Sequence, residues 1–441
     1  MKTLNTFYIR TYGCQMNELD SEIISTQLQM RELKKVDDEE TADIIILNTC
    51  SIRDLSEKKV LGKLFEYKKD KKDKIIGVCG CMAMSQKETL LKKFPHLDFL
   101  LGTNNLLDIN KILDNILSKK LQEKRVDLNY EIGLENFFAK RENKIKSSIS
   151  IVRGCNNFCS YCIVPQTRGK EVSRDSMSIV KEAKYLANEG LKEITLLGQN
   201  VNSYGLDKPN SKILFPDLLY MLDKIDGIER IRFMTSHPKD ITKDLMLAIR
   251  DLKKVCEFVH FPMQSGSNKI LKAMRRTYTI EYYLEKVNLL KSIVPNVTIG
   301  TDIIVGFPDE TDEDFDQTYK LFDKIKFDTA FIFAYSPRKN TLASRYDDNI
   351  SNTLKQQRLQ KLLKLFHKIL EDKYRKLIGT KKEILVERFN KDKKILKGRS
   401  REFEKIIFEG DEKLIGSLQM IDLESFSHQT LIGRLTNNKN F

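Results

Sequence analysis

Three cysteines lie close together in the stretch CNNFCSYC, at Cys155, Cys159 and Cys162. Their spacing, C-x3-C-x2-C, brings three thiols into a loop that opens at Gly154 and follows a predicted strand. Thiolates are the ligands of iron–sulfur clusters, and a cluster of four irons held by three thiolates keeps one iron open for a substrate or cofactor. A zinc site without its fourth ligand and plain buried cysteines are the alternatives. The next histidine in the chain is His237, so the spacing favours a cluster.

A second set of cysteines follows three separate predicted strands near the N-terminus. Cys14, Cys50 and Cys81 come after the first, second and third of these strands. Carboxyl ends of neighbouring parallel strands meet at one edge of a sheet, so we expect these thiols to converge on a second metal site. Isolated buried cysteines are the alternative. Cys79 and Cys256 lie inside apolar runs and are expected to pack as small hydrophobic residues.

The composition is typical of a soluble globular protein with a polyanionic partner. Hydrophobic residues make up 41% of the chain, and no apolar run approaches the ~20 residues of a membrane span. No secretory signal is visible, and eight cysteines in a reducing compartment favour metal binding or catalysis over disulfides. We therefore expect a cytoplasmic protein with no membrane partner. The net charge of +14 suggests nucleic acid, although a general enrichment in lysine would give the same charge.

The N-terminal ~120 residues alternate short apolar runs with helical patterns, which predicts a parallel sheet with crossover helices. Gly80 is expected to turn the chain and release Cys81 from the third strand. The charged, poorly periodic segment 119–145 is interpreted as a linker. Strands are predicted at 6–12, 43–48, 74–79 and 98–102, and helices at 17–34, 52–69 and 84–94.

A second alternating series begins at Ile149 and predicts about six βα units, fewer than the eight of a closed barrel. We therefore predict a partial, open (β/α)6 barrel. A long amphipathic helix, 351–378, follows it, with basic residues such as Lys355 and Arg358 largely off the apolar stripe. Short strands after Gly379 predict a small β-barrel. Central strands are expected at 148–152, 193–198, 230–236, 257–262, 298–308 and 329–336, and helices at 177–190, 212–225, 239–253, 267–292 and 311–326.

The cysteine stretch and the βα units after it resemble the radical S-adenosylmethionine superfamily. The whole chain is similar to the methylthiotransferase family of that superfamily. The resemblance implies an α/β fold in three parts: an N-terminal methylthiotransferase domain over 1–120, a radical S-adenosylmethionine domain over 141–375 and a TRAM-like RNA-binding β-barrel over 378–440. Gln166, in VPQTRG, departs from the tyrosine expected there. The stretches that match the tRNA branch of the family are TYGCQMNELDSE, NTCSIRDLSEKKV, LLGQNVNSYG, TSHPKD, QSGSNKILKAMRRTYT, TDIIVGFPDETDEDF and YSPRKNTLAS.

The resemblance also implies two [4Fe–4S] clusters. The three cysteines of CNNFCSYC would hold the cluster that binds S-adenosylmethionine. Cys14, Cys50 and Cys81 would hold a second cluster that carries exchangeable sulfur. Gln199 and Gln264, each after a predicted strand, would contact S-adenosylmethionine. No acid–base side chain is expected to act as a catalytic residue.

The implied reaction inserts sulfur and a methyl group at C2 of N6-isopentenyladenosine 37 in the anticodon loop of tRNA. A radical derived from S-adenosylmethionine would remove hydrogen from C2, which offers no acid–base handle. The implied partners of a monomeric enzyme are the tRNA anticodon stem-loop, S-adenosylmethionine and an electron donor such as flavodoxin or ferredoxin. The alternatives are a methylthiotransferase for threonylcarbamoyl-adenosine tRNA or ribosomal protein S12, and a non-catalytic iron–sulfur or zinc RNA-binding protein.

Overall fold

The computed structural model describes residues 4–51, 54–69, 71, 73–118, 125–127, 137–208 and 213–436. The linker predicted at 119–145 lies outside these residues except for 125–127 and 137–145. The outer ends of the ranges 1–120 and 378–440 also lie outside them. None of the helices in the described part is long and apolar enough to cross a membrane.

The N-terminal part alternates strands and helices: β1 (Thr6–Tyr12), α1 (Gln15–Met30), β2 (Lys34–Lys35), β3 (Ile44–Thr49), α2 (Asp54–Lys69), β4 (Ile75–Gly80), α3 (Cys81–Gln86), α4 (Glu88–Lys93), β5 (Phe99–Leu101), α5 (Ile109–Leu117) and β6 (Arg125–Asp127). The strands form one parallel sheet in the order β2-β1-β3-β4-β5-β6, which confirms the predicted sheet. Ile44 and Ile46 pack into one hydrophobic cluster and Ile45 and Leu47 into another. Both faces of the sheet are therefore covered, as is usual for parallel strands.

The helix predicted at 84–94 differs from the observed structure in its start and in its continuity. It begins earlier, at Cys81, and is divided at Lys87, which has a φ of 46°. Gly80 has a φ of 88°, a conformation that favours glycine, and it leads from β4 directly into α3. Cys81 is therefore the first residue of a helix at the carboxyl edge of the sheet.

The central part contains β7 (Lys146–Ser150), β8 (Val152–Arg153), α6 (Val164–Thr167), β9 (Val172–Ser173), α7 (Ser176–Asn188), β10 (Glu193–Leu197), α8 (Phe215–Asp223), β11 (Arg230–Met234), α9 (Lys243–Asp251), β12 (Phe258–His260), α10 (Asn268–Ala273), α11 (Ile280–Ile293), β13 (Thr298–Val305), α12 (Asp312–Ile325) and β14 (Thr329–Ala334). Two three-stranded parallel sheets, β11-β10-β7 and β12-β13-β14, are joined by a single bridge between Ile231 and Val255. Within the described residues β7 and β14 do not pair, so the curved wall stays open. The predicted partial barrel is confirmed.

The two open edges of this wall are covered differently. Helix α1 of the N-terminal part packs beside β7. The long helix α13 (Asn352–Leu377) packs on β14, where Ala330 and Ile332 join the same hydrophobic cluster as Leu362 and Phe366 of that helix. The N-terminal part and the central part therefore form a continuous packed body along β7.

Two basic side chains of helix α13 are buried, although the sequence predicts that they lie on its exposed side. Lys355 and Arg358, which we expected largely off the apolar stripe, are 2% and 3% exposed. Lys355 Nζ lies 2.6 Å from Asp348 Oδ1, and Arg358 Nη1 lies 2.8 Å from Glu310 Oε2. Acidic partners from the loops beside the helix neutralise both charges, so neither side chain is available to an RNA phosphate.

The C-terminal part is a closed five-stranded barrel in the order β15-β16-β17-β19-β18, as predicted. Its strands are β15 (Lys381–Asn390), β16 (Ile395–Ser400), β17 (Lys405–Glu409), β18 (Leu418–Ser427) and β19 (Thr430–Leu435). Phe408 is 2% exposed in the core of this barrel. Inward-facing aliphatic side chains from each strand fill the rest of the interior.

The turn between β16 and β17 docks against the amino-terminal ends of the central strands. Phe403 stacks on Phe258, the first residue of β12, with the ring centroids 4.5 Å apart. Arg232 of β11 donates to the carbonyl oxygens of Ser400 and Arg401 at 2.6 and 2.8 Å. The turn therefore closes the end of the central barrel at which the strands begin, called its lower end below. The Phe403 ring is packed against Phe258 at that end.

Candidate metal centres

The loop that carries Cys155, Cys159 and Cys162 is fixed by its first residue. Gly154 has a φ of 79°, and a Cβ added there would lie 2.0 Å from the Lys170 carbonyl oxygen. Only glycine fits so close an approach of two backbone segments. The Gly154 N–H donates to Gln199 Oε1 at 2.7 Å, so the glutamine after β10 holds the start of the loop.

All three thiols of this loop are partly buried and adjoin hydrogen-bond donors. Asn157 Nδ2 donates to Cys155 Sγ at 3.3 Å. Arg276 Nη1 donates to Cys159 Sγ at 3.4 Å. Burial raises the pKa of Cys155 and raises that of Cys162 to about 12, so Cys162 is a neutral thiol at neutral pH until a metal displaces its proton.

Arg276 was not predicted as a site residue. Its guanidinium lies 5.1 Å from the Tyr278 ring centroid, and Nη2 donates to the Pro262 carbonyl oxygen at 3.4 Å. The Tyr278 hydroxyl donates to the Met263 carbonyl oxygen at 2.9 Å. Among the described residues no carboxylate lies within ion-pair distance of Arg276, so its positive charge is directed at the thiol of Cys159.

The second set of cysteines lies at the ends of three neighbouring strands. Cys14 follows β1, Cys50 follows β3 and Cys81 follows β4, and these strands are adjacent in the sheet. The structure brings the three thiols together, with Cys50 in hydrogen-bonding contact with both Cys14 and Cys81. Cys50 and Cys81 are 1% and 2% exposed, whereas Cys14 is half-buried.

A buried asparagine pair supports this second set. Asn17, in the first turn of α1, accepts through Oδ1 from Cys14 Sγ at 3.3 Å. Its Nδ2 donates to Asn48 Oδ1 at 2.9 Å, and Asn48 Nδ2 donates back to the Asn17 carbonyl oxygen at 2.8 Å. Both asparagines are fully buried, and their hydrogen bonds join the first turn of α1 to the end of β3 beside the thiols.

Hydrogen bonding from Cys50 and the nearby charge of Arg168 lower the pKa of Cys14 and of Cys81, although burial opposes the change. The same contacts with Cys14 and Cys81, together with burial, raise the pKa of Cys50. Both shifts favour the thiolate form of Cys14 and Cys81. Thiolates are the form that binds iron.

Cys79 and Cys256 take no part in either set. Cys79 is fully buried within β4, and burial raises its pKa well above the usual range. Cys256 is 1% exposed beside β12, and burial likewise raises its pKa. Both behave as small core residues, as expected from the sequence.

One short segment links the two sets. Helix α6 starts just after Cys162 and packs against α3, the helix that begins at Cys81. Thr167, the last residue of α6, hydrogen-bonds Cys81, and Arg168 follows it. The loop of the central part therefore runs directly from one group of thiols to the other.

A buried aspartate holds this segment in place. Asp20 of α1 is fully buried and lies 2.9 Å from Arg153 Nη2 and 2.9 Å from Arg168 Nη2. Arg153 Nη1 also donates to the Thr103 carbonyl oxygen at 2.9 Å. A single carboxylate of the N-terminal part thus binds both arginines that flank the central cysteine loop.

Polar and strained residues surround the carboxyl-terminal ends of the central strands. Burial, together with the charges of Asp207 and Asp240, raises the pKa of Glu171 to about 7, although a hydrogen bond with Ser203 opposes the shift. Burial lowers the pKa of His237 to about 2, so this histidine is neutral. Such shifts concentrate at functional sites.

Gln264 is 7% exposed and has a φ of 67°, a strained conformation for a residue other than glycine. Thr235, after β11, has a φ of 72°, which is rare for a β-branched residue. Gln166 is exposed and donates to the Asn340 carbonyl oxygen. That bond joins Gln166 to the loop after β14.

The two donor sets fit iron–sulfur clusters better than single ions. Within the described residues, no three histidine, cysteine, aspartate or glutamate side chains are placed to hold a metal ion. A [4Fe–4S] cluster is held by cysteine thiolates, each bound to a different iron. Three cysteines without a fourth protein ligand therefore suit a cluster better than a closed zinc site.

Comparisons with known proteins follow the same division of the chain. Residues 6–102 match the family described as Uncharacterized protein family UPF0004, and residues 149–322 match the Radical SAM superfamily. A tRNA-2-methylthio-N(6)-dimethylallyladenosine synthase from Protochlamydia amoebophila is 55% identical over 99% of this chain and 97% of its own length. The enzyme of the same name from Thermoanaerobacter pseudethanolicus is 44% identical over 97% of this chain and 92% of its own length.

Solved structures show the same fold at low sequence identity. The radical S-adenosylmethionine methyltransferase TsrM from Kitasatospora setae, with cobalamin and a [4Fe–4S] cluster bound, superposes with a TM-score of 0.57. The match has 13% sequence identity and covers 75% of each chain. This likeness supports the central architecture alone.

Proposed function

Because the chain belongs to the methylthiotransferase family of radical S-adenosylmethionine enzymes, we propose that it makes 2-methylthio-N6-dimethylallyladenosine in tRNA. Sulfur and a methyl group would be added at C2 of the N6-isopentenylated adenosine at position 37 of the anticodon loop. Relatives of that name match nearly the whole chain, so the N-terminal, central and C-terminal parts all have counterparts in them.

One observation carries the proposal. Two sets of three thiols lie on the facing sides of one domain boundary, and a single segment, Cys162 to Arg168, connects them. A carbon–hydrogen bond has no acid–base handle, and a [4Fe–4S] cluster with S-adenosylmethionine, held by the first set of thiols, would supply radical chemistry for it. A second set of thiols at the other end of this segment suits a source of sulfur.

The chain's own residues would hold and orient these groups. Cys155, Cys159 and Cys162 would ligate the first [4Fe–4S] cluster, with Arg276 donating to the sulfur of Cys159. Gln199 would set the position of the cysteine loop through its bond to Gly154. The remaining polar atoms of Gln199, and the strained Gln264, would face S-adenosylmethionine at the strand ends.

Cys14, Cys50 and Cys81 would ligate the second [4Fe–4S] cluster. Arg168 supplies a positive charge beside them, which favours thiolate ligands. Asn17 and Asn48 hold the strand ends that carry Cys14 and Cys50. Asp20 fixes Arg168 and thereby fixes the position of the two sets relative to each other.

The C-terminal barrel, 378–440, would bind the anticodon stem-loop. Its turn between β15 and β16 carries Lys391, Lys393 and Lys394, all exposed. Phosphate contacts position RNA, whereas the bases in a loop are read by stacking and splaying. The enzyme would act as a monomer in the cytoplasm and would take electrons from a small carrier such as flavodoxin or ferredoxin.

The decisive experiment is a reconstitution under anaerobic conditions. The full chain, loaded with iron and sulfide, is incubated with S-adenosylmethionine, a reductant and tRNA that carries N6-dimethylallyladenosine, and the digested nucleosides are separated by mass. We expect the 2-methylthio product. Parallel reactions contain threonylcarbamoyl-adenosine tRNA or ribosomal protein S12, and a methylthio group on either of these, with none on the dimethylallyl nucleoside, would overturn the proposal.

A further inference from the structure

The last strand of the central wall exposes two phenylalanine side chains. Phe331 and Phe333 of β14 are 39% and 43% exposed, although large apolar side chains are usually covered. The alternating residues of the same strand, Ala330 and Ile332, pack against the hydrophobic cluster to which α13 also contributes. Because side chains alternate along a strand, both phenylalanines face the other side of the wall, away from α13.

That other side is the concave interior of the half-barrel. The Phe331 ring stacks on His260 of β12, with the centroids 5.9 Å apart and the planes at 19°. His260 Nε2 lies 3.1 Å from Asp302 Oδ2, and Asp302 stands opposite Phe331 in the β13–β14 register. The two phenylalanine rings therefore lie on the concave face of the half-barrel, on β14, which is the strand at its open edge.

The lower end of this interior is closed. Phe258 shares a face of β12 with His260, because the two residues are two positions apart. It stacks on Phe403 from the C-terminal barrel, and the guanidinium of Arg232 lies 5.4 Å from the Phe403 ring centroid. A ligand attached to a macromolecule must then enter from the carboxyl-terminal edge or through the gap beside β14.

The upper end of β14 leads to the candidate centre. In the loop that follows the strand, the Ala343 N–H donates to the Ser160 carbonyl oxygen at 2.7 Å. The Asn340 carbonyl oxygen accepts from Gln166, just beyond Cys162. The strand that carries the two phenylalanines therefore leads into a loop that contacts the segment with Cys159 and Cys162.

We propose that Phe331 and Phe333 form the surface that binds the N6-dimethylallyl adenine of the tRNA, with the five-carbon apolar group packed on the rings. The inference rests on the proposed function and names the part of the site that recognises its substrate. An unpaired base splayed from an RNA loop is held by stacking on aromatic side chains, and an alkenyl substituent adds apolar area to that contact. The same surface would bind unmodified adenine more weakly.

Binding of two tRNAs tests this proposal: one with N6-dimethylallyladenosine and one identical but unmodified. The wild-type chain, loaded with iron and sulfide, should prefer the dimethylallyl tRNA by roughly tenfold, the value expected for burying about half of the alkenyl group. The double variant Phe331→Ala, Phe333→Ala should lose this preference, because its affinity falls more for the dimethylallyl tRNA than for the unmodified tRNA, which loses the base stacking alone. The double variant Phe331→Leu, Phe333→Leu, which keeps apolar bulk, should retain part of the preference.

Tyr220→Ala is the matched control, because Tyr220 is 42% exposed on the outer helix α8. It should leave the preference unchanged. If the double alanine variant keeps the wild-type preference, or loses affinity for both tRNAs equally, the inference is wrong. The proposed function would then still stand if the wild-type chain makes the methylthio product, and it would fail separately if that product is absent.

Discussion

Asp20 and Arg168 form a buried ion pair between the N-terminal and central parts of the chain, with Asp20 Oδ2 2.9 Å from Arg168 Nη2. The side chains are fully buried and 3% exposed, respectively. Arg153 shares the same carboxylate, so one negative charge balances two positive ones. The excess positive charge lies beside Cys14 and Cys81, where thiolate ligands would offset it.

We expect Asp20→Asn to destabilise the metal-free protein strongly, because it leaves two buried guanidinium groups without a counter-charge. Removing one partner of a buried ion pair typically costs about 3–5 kcal/mol, and the expected loss in unfolding free energy is about 3 kcal/mol. Denaturant titration of the anaerobically prepared protein measures it. Glu18→Gln, an exposed change on the same helix, should shift the midpoint little. Equal stability of the two variants would contradict the role given to Asp20.

The charge of Arg276 should tune the first cluster. A positive charge near a cluster stabilises its reduced, more negative form, so Arg276→Gln should lower the reduction potential by several tens of mV. Iron content should stay near the wild-type value, because the three thiols remain. A redox titration followed by electron paramagnetic resonance measures the potential. The neighbouring Arg275 is exposed, and Arg275→Gln should leave the potential unchanged.

Removal of each cysteine set should have a different effect. We expect the triple variant with alanine at Cys155, Cys159 and Cys162 to keep about half of the iron. It should lose all cleavage of S-adenosylmethionine. The complementary triple variant, at Cys14, Cys50 and Cys81, should also keep about half of the iron but should continue to cleave S-adenosylmethionine. It should transfer no sulfur.

Iron and sulfide analysis and assay of 5′-deoxyadenosine distinguish these cases. Cys256→Ala is the matched control, because the thiol of Cys256 is buried and belongs to neither set. This variant should keep the full iron content. Full iron retention in either triple variant would contradict the assignment of two clusters.

The sequence was sufficient to predict most of the scaffold and the grouping of the cysteines. Cys14, Cys50 and Cys81 could be grouped because each follows an apolar run, and consecutive parallel strands end at a common edge. The C-terminal barrel could be predicted from regularly spaced short strands. In both cases the signal is local, and the tertiary consequence follows from general rules of sheet topology.

The contacts that depend on distant segments could not be predicted. Arg276 and Arg168 look like ordinary surface arginines in the sequence, because nothing local indicates burial beside a cysteine. The burial of Lys355 depends on Asp348 in a preceding loop. The helix predicted at 267–292 is divided into α10 and α11, and Arg275 in the break has a φ of 55°. No periodicity in the sequence marks that conformation.

Glu171 should make the stability of the protein depend on pH. Its side chain is 9% exposed, and burial together with Asp207 and Asp240 raises its pKa from 4.5 to about 7 in the folded state. A raised pKa means that the folded state binds the proton more tightly than the unfolded state. The resulting stabilisation is fully present below pH 4.5 and is lost as the pH rises through about 7. At pH 8 the buried carboxylate therefore costs up to about 3 kcal/mol relative to a neutral side chain.

We expect Glu171→Gln to be more stable than the wild type at pH 8 and similar to it at pH 5, because the amide is neutral at both. Thermal unfolding of the metal-free protein across this range measures the difference. Glu285→Gln, at an exposed position on α11, should show no such pH dependence. A constant difference between Glu171→Gln and the wild type at all pH values would show that the carboxyl does not titrate near neutrality.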